Sequence, residues 1–91
     1  MIINITSLII YQKYSLDTIR EWLDDHVGAY LGTGNHMRID ETVPARISVL
    51  YIGEGWQIEA YEIVDGYGKT IYYQIDIDNE KMATFFILKF L

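Results

Sequence analysis

Three stretches of the chain have residue types from which a cofactor or metal site could be built, and each lacks a part that the chemistry requires. Gly32-Thr33-Gly34-Asn35-His36-Met37 opens like a dinucleotide fingerprint. It has no third glycine, and it follows a helical pattern where a strand should deliver the pyrophosphate to a helix N-terminus. It reads as a loop that ends a helix. Asp76-Ile77-Asp78-Asn79-Glu80 begins like a calcium loop, but Lys81 stands where the sharp turn needs glycine and Ile87 where a bidentate glutamate belongs. A strand running into a polar turn accounts for it. His26 and His36 are the only histidines, with Asp40 or Glu41 as conceivable further metal ligands. Their spacing matches no metal-binding pattern, so they read as surface or half-buried side chains.

Nucleophilic catalysis needs an activated hydroxyl or amine beside a base that a third group orients. Ser7 and Ser48 fall in strand-like patterns and Ser15 at a helix start, none of them in a Gly-rich turn. The chain has no cysteine, which excludes thiolate metal sites, cysteine nucleophiles and disulfides and suits a reducing, cytoplasmic setting. No catalytic set and no cofactor or metal site emerges, and the expectation is a protein that is not an enzyme.

Charge narrows the partner. Thirteen acids against seven bases give a net charge of -6, and the bases (Lys13, Arg20, Arg38, Arg46, Lys69, Lys81, Lys89) are scattered singly. Nucleic-acid affinity comes from clustered cations that displace counterions, so direct nucleic-acid binding is not expected. A larger protein with a basic surface is the natural complement. Neither apolar end is long enough to span a bilayer, and the first ten residues have no basic leader, so the expected location is the cytoplasm with no membrane association.

The elements expected to position these residues form a single domain over 1–91. The β-branched run from Ile2 to Tyr11 predicts a first strand. A helix follows over Ser15 to Leu31: Ser15 is a good N-cap, Asp17 suits the positive end of the dipole, and Leu16, Ile19, Leu23, Val27 and Tyr30 form one apolar stripe. A short strand is expected near Met37 to Asp40. After Pro44 the period changes to two, predicting strands at Arg46–Ile52, Trp56–Val64, Lys69–Asp78 and Met82–Leu91, with short turns that make neighbours antiparallel. The expected fold is α+β, an antiparallel meander of about five strands with one helix on one face, in the order β-α-β-β-β-β.

Alternation assigns the faces. With Ile71, Tyr73, Ile75 and Ile77 toward the helix, Tyr72, Gln74, Asp76 and Asp78 point away. With Trp56, Ile58 and Ala60 inward, Gln57, Glu59 and Tyr61 point out, and a bulge is expected near Glu62–Ile63. The expected partner-binding set on this acidic-aromatic face is Glu59, Tyr61, Tyr72, Asp76 and Asp78, because tyrosine anchors interfaces at low entropic cost. Apolar residues on both faces of the first and last strands (Ile2, Leu8, Ile10, Phe85, Ile87) exceed what one helix can shelter, which predicts a homodimer.

The hairpin Gly55-Trp56-Gln57-Ile58-Glu59-Ala60-Tyr61 and Tyr73-Gln74-Ile75-Asp76-Ile77-Asp78 is similar to hairpins of PepSY-type domains and to the C-terminal part of gas-vesicle O-type accessory proteins. It covers about 25 residues and departs from the PepSY-type pattern at Asn79-Glu80-Lys81, where a Thr-Gly turn often stands. The resemblance implies a noncatalytic structural or self-associating module. Size, acidity and the lack of a catalytic set favour instead an inhibitor that occupies a basic groove, by analogy with toxin-immunity proteins and phage antidefence proteins of the anti-CRISPR kind.

The helix stripe carries a direct test. Leu23→Ala should cost about 2–5 kcal/mol as a cavity-forming truncation. Chemical denaturation measures it, and a loss under about 1 kcal/mol would show that the stripe is not buried.

Overall fold

The computed structural model describes residues 1–34, 37–40 and 45–91. Strand β1 (Ile2–Asn4) leads into a single-turn helix α1 (Thr6–Ile10) and then helix α2 (Leu16–His26). Strands β2 (Tyr30–Thr33), β3 (Met37–Asp40), β4 (Ala45–Gly53), β5 (Trp56–Asp65) and β6 (Gly68–Ile77) follow, and helix α3 (Glu80–Phe90) ends the chain. The α+β class holds, with helices over one face of an antiparallel sheet. No helix among the described residues is long and apolar enough to cross a membrane.

The sheet runs β1-β6-β5-β4-β2, with β3 also on β4, so β2 and β3 share one edge. It is therefore not a pure meander: β1 returns to pair with β6, Ile3 opposite Ile75. The expected strand Ile2–Tyr11 is a strand only as far as Asn4 and then a helix, and the expected strand Met82–Leu91 is a helix. The run after Asn4 turns because Asn4 Oδ1 accepts from the Thr6 N–H at 2.9 Å, and Thr6 Oγ1 accepts from the Tyr73 N–H at 2.9 Å. These side-chain bonds override the β propensity of Ile9 and Ile10, and Leu8 goes into the core. Residues 80–90 also form a helix, because Asn79 Oδ1 caps the Met82 N–H at 3.1 Å and Ala83, Phe86 and Phe90 bury one face. The described residues form three helices in place of the one expected.

Helix α2 begins as expected, with Ser15 Oγ accepting from the Thr18 N–H at 3.1 Å. It stops at His26, short of Leu31, and Tyr30 and Leu31 belong to β2. The Val27 and Gly28 N–H groups both donate to the Leu23 carbonyl, which closes the helix. A Cβ at Gly28 would overlap the Glu54 carbonyl, so only glycine lets this corner reach the β4–β5 turn.

Ile19, Leu23, Ile3, Ile5, Ile58, Ile75, Ile77 and Phe86 form the core between helices and sheet. Trp56 joins them, and its indole N–H donates to the Gly28 carbonyl at 2.7 Å. Gly53 lies opposite Trp56, and a Cβ there would overlap the indole ring. Gly53→Ala should accordingly destabilise the fold by about 1–3 kcal/mol through overpacking. Thermal melting of this variant should show a lowered midpoint, and an unchanged midpoint would mean that the indole can shift freely.

Candidate functional site

The register assigns faces as the alternation predicts. Trp56 opposes Ile77, Ile58 opposes Ile75 and Ala60 opposes Tyr73, with Trp56, Ile58, Ile75 and Ile77 buried beneath the helices. The other face carries Gln57 opposite Asp76, Glu59 opposite Gln74, and Tyr61 opposite Tyr72. The expected bulge near Glu62–Ile63 does not occur, since β5 and β6 pair without a break from Trp56 to Asp65. It lies on β4, between Val49 and Tyr51, where Leu50 and Tyr51 both pack against the core.

Of the five residues assigned to partner binding, Glu59, Tyr61, Tyr72 and Asp76 share this face. Asp78 lies just past the end of β6, exposed, with its N–H donating to the Gly55 carbonyl at 2.9 Å. Glu59 differs from expectation. It is 1% exposed, directly opposite the buried Val49, and among the described residues no buried side-chain polar atom lacks a hydrogen-bond partner. Its carboxylate is thus withdrawn from the surface. Asp76 is half-shielded and lies 3.5 Å from the terminal ammonium of Met1, which offsets part of its charge. Exposed carboxylates near this end of the sheet include Asp78 and, in the β4–β5 turn, Glu54.

Tyr61 and Tyr72 form a direct cross-strand pair and line an open depression of about 320 Å³ together with Asn4, Ile63 and Gln74. Asn4 and Gln74 meet there because β1 pairs with β6. Alternation had placed Gln74 on this face, but Asn4 was not legible as a lining residue, since nothing local indicates that residues 2–4 will lie beside residues 74–76. The floor is aromatic and aliphatic, the rim carries amide and phenol groups, and Asp76 lies four residues further along β6, about 13 Å away. Such a surface can receive an apolar or planar side chain while carboxylates engage cations nearby. It has no nucleophile paired with a base.

The other candidates take structural roles. His26 stacks on Trp22 at a centroid distance of 4.6 Å, with Nδ1 2.9 Å from the Trp22 carbonyl. His36 and Glu41 lie outside the described residues. Among the described residues no group of three His, Cys, Asp or Glu side chains could hold a metal ion. Arg20 sits over the rings of Tyr30 and Tyr51, at 4.9 and 5.9 Å, and ties α2 to the sheet. Comparison with family models, with curated proteins and with solved structures finds no match for the chain.

Proposed function

We propose that the chain is a small noncatalytic inhibitor that seats its open sheet face on a larger protein with a basic surface and blocks a groove there. The observation that carries this reading is the Tyr61–Tyr72 pair in its open depression, with the half-shielded Asp76 further along the same face and the exposed Asp78 just past its end. Tyrosines fill partner pockets and slow dissociation, whereas carboxylates steer encounter with a cationic surface. A groove built to receive phosphates accepts a carboxylate-bearing face by the same electrostatics. The net charge of -6 favours such a target and disfavours nucleic acid itself. Toxin-immunity and phage antidefence proteins work by this kind of occupancy, and the lack of cysteine suits action in a reducing cytoplasm. The contact set is Tyr61, Tyr72, Asp76 and Asp78. Glu59 is left out because its carboxylate is buried.

The test uses the partner recovered by pull-down and measures binding kinetics at two salt concentrations. Reversing Asp76 and Asp78 to lysine should slow association about tenfold or more at low salt and flatten its salt dependence. Asp78→Lys should account for most of this, because the Met1 ammonium already offsets Asp76. Tyr72→Ala should act mainly on the dissociation rate. Tyr72 and Asp78 are exposed, so the melting temperatures of Tyr72→Ala and Asp78→Lys should hold, whereas Asp76→Lys also loses the Met1 ion pair. Unchanged kinetics in folded variants would remove this face from the interface.

A further inference from the structure

The outer edge of β6 is only half used. Ile77 donates its N–H to the Met1 carbonyl, the Ile5 N–H donates to the Tyr73 carbonyl, and the Tyr73 N–H donates to Thr6 Oγ1, each at 2.9 Å. Odd-numbered residues of β6 therefore turn their backbone groups toward β1, and even-numbered ones turn theirs toward β5. β1 ends at Asn4, opposite Gln74. Past that point the same alternation aims the N–H and C=O of Lys69 and Ile71 out of the sheet, where no described strand pairs with them. This half of the strand also lies beyond the helices, and Val64 and residues 66–72 are all exposed.

We propose that this free half-edge pairs antiparallel with the same half-edge of a second copy, about a twofold axis at Thr70. That register sets Lys69 of each copy opposite Ile71 of the other, so four outward backbone bonds form between groups that lack partners in one chain. Thr70 meets Thr70 on the open face, a favourable cross-strand pair. Lys69 does not oppose the pairing, because its ammonium lies 3.3 Å from Glu62 Oε2 in its own chain and its stem can lie along Ile71 of the other copy. Asp76 and Asp78 are about 20 Å or more from Thr70, so the acidic ends of two copies stay beyond screening range of each other. The joined edge buries Ile71 and Tyr72, now 39% and 38% exposed. It also brings the two Tyr61–Tyr72 depressions onto one continuous face. A five-residue overlap makes a small interface, so the dimer is weak and populated at high concentration.

Sedimentation of the chain alone from about 10 µM to about 1 mM should show reversible dimerisation. Ile71→Pro deletes an outward N–H and leaves the β5 ladder, whose bonds fall on even residues, so the dimer should weaken about tenfold or more. Thr70→Lys keeps every backbone bond, sets two ammonium groups face to face, and should weaken it similarly; it decides the matter if the proline variant does not fold. A monomer throughout the range overturns the proposal. So does a dimer indifferent to Thr70→Lys, or one abolished by Leu88→Asp on the exposed side of α3 while Thr70→Lys leaves it intact. The assay contains no other protein, so its outcome is independent of the proposed inhibitory partner.

Discussion

The placement of helices on sheet depends on Trp56. Its indole is buried in the core, stacks near-parallel on Tyr30 at a centroid distance of 6.3 Å, and donates to the Gly28 carbonyl just past the end of α2. A buried indole N–H without an acceptor would cost about 1–3 kcal/mol, so the ring holds the end of α2 at one height over the β4–β5 hairpin. Gly28 and Gly53 are the complement of that arrangement, each leaving the space that the Glu54 carbonyl or the indole occupies. Arg20, over Tyr30 and Tyr51, fixes the rotation of the same helix. With the register of β4 on β5 fixed there, alternation carries the face assignment along the sheet as far as Tyr72.

The cover is one-sided and stops short. α2 and α3 pack together through Trp22, Phe86 and Phe90 and shelter Ile58, Ile75 and Ile77. The far half of the β5–β6 hairpin receives no helix, and its Glu62–Lys69 ion pair lies at the surface, with Lys69 exposed and Glu62 partly shielded. A surface pair of this kind adds little to stability. Persistence of the arm in ladder form rests on the unbroken β5–β6 pairing, on β4 alongside β5 as far as Ile63, and on the Gly66-Tyr67 turn.

Much of the fold was legible in the sequence where local chemistry and tertiary packing agree. Ser15 capped the helix it was expected to cap, and the alternation over Trp56–Tyr61 and Ile71–Ile77 gave the correct faces. Residues 6–10 and 82–91 misled because their apolar residues run consecutively, at Leu8–Ile10 and Phe85–Leu88, and such runs do not distinguish strand from helix by period. Asn79 and Glu80 before the last run, and Lys89 near its end, were available cues to a capped helix. The order of the sheet was not legible, since the β1–β6 pairing joins residues 70 or more positions apart. The depression lined by Asn4 and Gln74 depends on that pairing. The burial of Glu59 was also hidden, because alternation tells which face a side chain takes and not what else lies over it.

The β1–β6 pairing also imposes an order of assembly. The β4–β5–β6 segment is joined by tight turns and can zip locally, whereas β1 must close a loop of about 70 residues for three residue pairs. On a ribosome β1 emerges first and has nothing to pair with until β6 is out. Through that interval Ile3, Ile5 and Leu8, all core residues, are exposed to solvent. Core residues made before β6 therefore wait for a partner made after them, and the length of that wait is set by translation speed.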